Sequence, residues 1–259
     1  MTPDIVVDIG NSRMKWGYCE DGRVSGMVAL GHDSPVEWKR QAEAWGAGER
    51  TRWAVAGVVP KEIQRFSDWL AARGVPPTLI TNELFADGGP TGFTTEVDEL
   101  HRVGIDRLLT SFAASRRLPQ GDPVTVINVG TAMTVDFVRG DGTHVGGVIL
   151  PGPRLMAKSL HDYTAKLPLI DIDPAPPAFL WGTNTEFAIS VGIATAVLGG
   201  ADRLVWNWAL RACEPPWVYA TGGDAGYLRG FEFTADVAGF EIDPHLTLDG
   251  IRLAAEAMG

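Results

Sequence analysis

The chain is short of the residues that mark disulfide scaffolds, thiolate metal sites and polyanion-binding surfaces. Only two cysteines, Cys19 and Cys213, occur in 259 residues. They have no metal-ligand spacing, so neither a disulfide framework nor a cysteine-ligated metal is expected. Lys and Arg number 22 against 32 Asp and Glu, a net charge of -10. That balance argues against a general nucleic-acid binder, which needs clustered cations to neutralise phosphates. The most apolar stretch, residues 187–198, falls short of the roughly 20 residues a membrane-spanning helix takes. At the N-terminus no charged segment leads into an apolar run of about 7 to 15 residues. The expected setting is a reducing cytoplasm, with no membrane role.

Common catalytic signatures are missing too. There is no Walker A sequence, no strand followed by Gly-x-Gly-x-x-Gly, no His-Glu-x-x-His, no Cys-x-x-Cys and no Gly-x-Ser-x-Gly. Serine hydrolases, zinc enzymes and Rossmann oxidoreductases lose their support. His32, His101, His144, His161 and His245 are scattered without ligand spacing and read as structural or surface residues. The nine tryptophans read mostly as core.

What is present is ordinary globular composition, 45% hydrophobic and 21% charged, in a length that suits one large domain or two of ordinary size. It also carries an internal echo. Shifting the chain by 120 positions brings residues 5–30 onto 125–150, so that Asp8 meets Asn128, Gly10 meets Gly130, Asp21-Gly22 meets Asp141-Gly142, Gly26 meets Gly146 and Leu30 meets Leu150. Each copy reads strand, Gly-containing turn, strand, Asp-Gly hairpin, strand. Asp-Gly between apolar runs favours a type I′ turn, with positive φ at both central residues. Two meanders with shared turn chemistry by coincidence is the plainer alternative. A duplicated unit predicts two similar α/β halves, residues 1–118 and 119–259, with both Gly turns aimed at a nucleotide in a common cleft. Gly10 and Gly130 would let backbone approach a ligand. Asn11, Ser12 and Thr131 would donate hydrogen bonds to phosphate oxygens.

The remaining pattern predicts a buried strand over 52–59 and a helix over 61–73 carrying Ile63, Phe66, Trp69 and Leu70 at helical spacing. A strand at 78–81, a long surface loop at 83–97 and a helix at 105–117 follow. After a linker at 119–123 and the second meander, one or two helices span 186–212 with a break near Gly199-Gly200. A strand at 218–220, a turn at 221–223 and a closing helix at 246–258 complete the chain. Strands followed by helices, twice, make an α/β fold.

Candidate chemistry rests on carboxylates and turns. Asp8 ends an apolar strand beside Gly10, where it could meet a metal-bound phosphate with Lys15 as a compensating cation; taken alone it reads equally as a turn-capping acid. Asp106 opens a helix, where the dipole favours an acid whatever its use. Thr221-Gly-Gly223 could lie under an adenine ring or be a plain turn.

Asp8-Ile-Gly-Asn-Ser12, Gly104-Ile-Asp-Arg107, Gly130-Thr-Ala132 with Thr134 and Asp136, Gly146-Gly-Val-Ile-Leu-Pro-Gly152, Thr164-Ala-Lys-Leu-Pro168, Gly182-Thr-Asn-Thr185 and Ala220-Thr-Gly-Gly223 together resemble type III pantothenate kinases, in the family's order and over nearly the whole chain. The resemblance implies two ribonuclease H-like domains with a nucleotide cleft between them, the actin-like ATPase fold shared with acetate and sugar kinases and heat-shock chaperones. It implies a homodimer, ATP, Mg²⁺ and a monovalent cation, K⁺ or NH₄⁺. The implied reaction moves the γ-phosphoryl group of ATP to the 4′-hydroxyl of pantothenate, the first step of coenzyme A synthesis. Carried over by position, Asp8, Ile9, Gly10, Asn11, Ser12, Arg13, Met14 and Lys15 would line ATP, with Asp8 near the divalent metal. Thr131, Gly222 and Gly223 would also touch ATP. Asp106 would be the general base, and Val97, Gly104, Ile105, Asp106, Arg107 and Thr185 would hold pantothenate.

Two positions depart from the family. Asn128 stands where the family usually has the Asp that ligates the monovalent cation. A unit charge lost about 4 Å from a cation removes about 4 kcal/mol at an effective dielectric near 20. Val97 stands where the family usually sets a Tyr against the substrate. These departures leave two other readings open: a catalytically weak relative with a regulatory or interaction role, and a kinase of the same fold for another small hydroxylated substrate.

Overall fold

The structure, a computed structural model, describes residues 2–87, 89–119, 121–173 and 181–259. Gln120 of the expected linker and Gly88 of the expected long loop lie outside them. The chain divides into two compact units, residues 1–117 with 245–259, and residues 118–244.

In the first unit, β1 (Ile5–Ile9), β2 (Met14–Glu20) and β3 (Arg23–Leu30) form the predicted meander. After α1 (Pro35–Ala44) come β4 (Trp53–Gly57), α2 (Pro60–Ala71) and β5 (Thr78–Leu79). α3 (Ile105–Ser115) follows the loop region, and the closing helix α6 (Leu246–Ala257) joins this unit. The sequence alone assigns that helix to the C-terminal half; in the structure it packs on α3 and β1. The sheet order is β3-β2-β1-β4-β5, with β1 antiparallel to β2 and parallel to β4.

One face of this sheet is built from Ile5, Val7, Ile9, Met14 and Trp16, all at most 1% exposed. Phe66 and Leu70 of α2 join it, as their spacing predicts, each burial contributing about 1.5–3 kcal/mol. Trp45, Trp53, Phe66 and Trp69 surround Trp16 with ring centroids 5.1–6.4 Å away. The loop after β5 is anchored rather than loose. Phe85 and Phe93 stack edge-on against Phe112 of α3, and Arg116 holds the Thr91 carbonyl at 2.7 Å.

The second unit repeats the plan. β6 (Val124–Val129), β7 (Ala132–Val138) and β8 (His144–Pro151) form the second meander. α4 (Pro153–Asp162), α5 (Thr185–Ala212), β9 (Trp217–Thr221) and β10 (Gly239–Ile242) follow. The sheet order is β8-β7-β6-β9-β10, strand for strand that of the first unit, again with β6 antiparallel to β7 and parallel to β9.

α5 corrects two expectations. It runs unbroken through Gly199-Gly200 for 28 residues, and by length and composition alone it could cross a membrane. Its Ile193, Ala194, Val197, Leu198, Ala201 and Val205 are buried with Ile127, Val135 and Val218 of the sheet. That packing outweighs the roughly 1 kcal/mol each glycine costs a helix. The hairpins also differ. Asp21 and Gly22 both take positive φ, 50° and 73°, as a type I′ turn requires, whereas in the second copy only Gly142 does, at 86°. There Gly142 N–H reaches the Arg139 carbonyl at 2.8 Å and Arg139 N–H the Thr143 carbonyl at 2.9 Å, a longer loop ending in a left-handed glycine.

Candidate functional site

In the first unit the predicted residues gather at the carboxyl ends of β1 and β4, the end where open α/β sheets bind ligands. Ile9 and Met14 are fully buried, so only their backbone is left to meet a ligand. Between them Asn11, Ser12 and Arg13 are exposed, and the turn is closed by Gly10 N–H to the Arg13 carbonyl at 3.2 Å. A Cβ at Gly10 would come only to ordinary contact, 3.4 Å from that carbonyl. The fold itself therefore does not demand a glycine there.

Asp8 is directly opposite Lys15 across the β1–β2 pair and beside Ala56 of β4. Paired residues share a sheet face. Burial first, then the negative charge of Asp106, push the Asp8 carboxyl up to about 7, while Lys15 pulls it down. The fold has thus brought two acids far apart in sequence within electrostatic reach. Asp106 lies in the first turn of α3, and its Oδ1 would be 2.5 Å from a Cβ on Gly104. Gly104 is the residue whose missing side chain leaves room for that carboxylate.

Ile105 is 4% exposed, which leaves it little beyond backbone to offer a substrate, whereas Arg107 keeps part of its surface open. Val97 is partly buried, its N–H on Thr95 Oγ1 at 3.4 Å.

In the second unit Asn128 occupies the place of Asp8. It pairs with Thr134 on β7 and Thr221 on β9, giving a row of three neutral polar side chains across three strands. The hydroxyls of Thr134 and Thr221 are buried with no hydrogen-bond partner among the described residues. Gly222, at φ 103°, sits against Asn128: a Cβ there would be 2.6 Å from Asn128 Oδ1 and would strike the Val129 carbonyl. This turn must be glycine for internal reasons. Gly130 is not so constrained, since its nearest neighbour to a Cβ would be 3.7 Å away. Thr131 and Gly223 are exposed. Thr185 is the exposed first residue of α5, whose N-cap Asn184 accepts from Phe187 N–H at 2.9 Å.

Of the histidines, His144 is fully buried with its Nε2 3.0 Å from Asp136 Oδ1, in keeping with a structural role. Sequence reasoning missed one charged pair beside the second turn: Arg154 of α4 reaches the buried Asp224 at 3.1 Å.

Residues 5–207 match the family model described as type III pantothenate kinase. The chain is 30% identical to the type III pantothenate kinase of Synechococcus sp. (strain JA-3-3Ab) over 94% of its own length and 88% of the relative's. It is 31% identical to that of Acidiphilium cryptum (strain JF-5) over 97% and 93%. Among solved structures it resembles component A of (R)-2-hydroxyglutaryl-CoA dehydratase from Acidaminococcus fermentans, with a TM-score of 0.52 at 15% identity over 98% of each chain. The activator of 2-hydroxyisocaproyl-CoA dehydratase from Clostridium difficile, solved with bound ADPNP, gives 0.53 at 14% identity over 100% and 96%. The fold is that of the actin-like ATPases and sugar kinases. The chain belongs to the type III pantothenate kinase family.

Proposed function

We propose that this protein transfers the γ-phosphoryl group of ATP to the 4′-hydroxyl of pantothenate. The observation that carries the reading is that Asp106, in the first turn of α3, lies within electrostatic reach of Asp8 near the end of β1. Phosphoryl transfer asks a protein mainly for positioning and charge control. Asn11, Ser12 and the backbone of Gly10 hold phosphate oxygens on one turn, Thr131 on the other, and Gly222 and Gly223 meet the adenosine. Lys15 adds positive charge. Asp106 accepts the proton of the substrate hydroxyl, and Gly104, Arg107, Val97 and Thr185 orient pantothenate around it.

Two implied ions fare differently. Among the described residues no cluster of three or more His, Cys, Asp or Glu could hold a metal alone. That suits Mg²⁺, which takes one or two carboxylates and fills its shell with phosphate oxygens and water. Asp8, pushed up first by burial and then by Asp106, fits this task; bound there, the ion would offset phosphate charge. The row around Asn128 does not fit a cation site of the usual kind, because all three of its side chains are neutral. We therefore assign no step to a monovalent cation. A homodimer is supported by apolar surface on the second unit, where Ile149 and Leu155 are 63% and 43% exposed.

The test is direct. Purified protein with ATP, Mg²⁺ and pantothenate should form 4′-phosphopantothenate, and sedimentation should give the mass of two chains. Absence of product across a range of K⁺ and NH₄⁺ would overturn the assignment. Asp106→Asn should lower turnover by roughly 10²- to 10⁴-fold with ATP binding kept.

A further inference from the structure

Arg154 is in the wrong place for a helix. It is the second residue of α4, whose first turn holds no acid, and a cation at that end opposes the helix dipole. α4 is also fastened to the second Gly turn. Gly152 N–H donates to the Thr131 carbonyl at 3.0 Å, and a Cβ at Gly152 would strike the Gly130 carbonyl. Arg154 therefore stands beside residues 130–131 by construction.

One contact fixes it. Arg154 Nη2 donates to Asp224 Oδ1 at 3.1 Å, and the Asp224 side chain is 6% exposed against 59% for Arg154. Asp224 itself follows Gly222-Gly223, and its N–H is bound to the Val129 carbonyl at 3.0 Å. Asp224, Asp173 and Arg154 all lie within electrostatic reach of Tyr227. A guanidinium has five N–H donors. Beyond the one given to Asp224, Arg154 makes no further hydrogen bond among the described residues. A half-exposed ion pair contributes little to stability, and the dipole works against it. Local rules broken without a structural gain point to function.

We propose that Arg154 is a nucleotide-binding residue, presenting its remaining donors to the polyphosphate of ATP while Asp224 fixes its direction. The assignment rests on the reading that residues 130–131 face the ATP phosphates. It adds a cation to a turn that otherwise offers only neutral donors.

The experiment uses the full chain and compares Arg154→Met, Arg154→Lys and Thr131→Val. Loss of a charge-assisted contact should raise the KM for ATP about tenfold in Arg154→Met, with kcat and the KM for pantothenate within about twofold. The thermal upshift given by ADP should shrink in parallel, and Arg154→Lys should recover most of both. An unchanged ATP KM and ADP upshift in Arg154→Met would overturn the proposal. So would a fall in melting temperature with the ATP KM unchanged, which marks a purely structural pair. If Thr131→Val raises the ATP KM and Arg154→Met does not, Arg154 alone is misassigned. If neither moves it, the reading of the turn fails as well.

Discussion

The two meanders share strand order and strand direction but not charge. In the first, Asp8 faces Lys15; at the same place in the second, Asn128 faces Thr134. Both members of the second pair are neutral. The amide suits these neighbours when no cation is bound. A carboxylate beside Thr134 and Thr221 would have no basic cross-strand neighbour, and a buried acid without a compensating charge is costly. The first copy keeps an acid under strain, Asp8 near Asp106, and the second keeps a neutral row. The difference is one of charge: an acid facing a base in one copy, a neutral polar row in the other.

Converting the first copy toward the second has the largest expected effect. Asp8→Asn should lower turnover by roughly 10²-fold or more, as removal of a preorganised charge does, and yet stabilise the ligand-free protein. A carboxyl held near 7 when folded and near 3.9 when unfolded binds its proton more tightly in the native state. Native stability is then greatest below pH 4 as far as this group is concerned, and falls as pH rises from about 4 to about 7. Allowing for solvent at the partly exposed side chain, the gain in Asp8→Asn at pH 8 is about 2 kcal/mol. Denaturant titrations at pH 5 and pH 8 check it; equal stability of the two proteins at pH 8 would count against the strained acid.

Converting the second copy toward the first comes next. Asn128→Asp puts a charge among neutral groups, and should lower the melting temperature by several degrees in choline chloride, at about 2–4 °C per kcal/mol for a chain of this size. KCl or NH₄Cl should restore it, and turnover, expected to be independent of these ions in the parent, should become dependent on them. A parent whose activity vanishes without K⁺ would refute the neutral-row reading. The smallest effect is expected from Thr221→Val, which removes a buried hydroxyl that has no hydrogen-bond partner among the described residues. Stability should hold or rise by up to about 1 kcal/mol; a loss larger than that would reveal a partner for the hydroxyl.

Much of this was legible in the sequence, for reasons that can be named. The meanders, β4, α2 and α3 announce themselves through turn residues and apolar periodicity. α1, α4 and β10 do not: α1 buries only Trp38, α4 only Pro153 and Ala157, and β10 is a four-residue edge strand. The Gly-Gly pair in α5 misled because a local propensity was overruled by a buried face. At the site, the residue types were readable from motifs, but the nearness of Asp8 and Asp106 is a product of long-range packing. Arg154 left no signal, since a cation at the start of a helix looks like an accident until Asp224 is seen beside it.

The strand registers hold one further consequence. The spacing of 120 applies to β1 and β6, and to β3 and β8, but Met14 and Met133 are structurally equivalent at a spacing of 119. The second copy has lost a residue in its first loop and regained it before Leu150, the counterpart of Leu30. Both first loops nonetheless join equivalent pairs, Ile9 with Met14 and Val129 with Met133, so the middle strand keeps its inward face in each copy and the difference is absorbed within the loops. Loop length and strand register are therefore separable here: a chimaera that exchanges residues 10–13 and 130–132 between copies should keep both strand pairings and still fold, and only its ligand contacts should change.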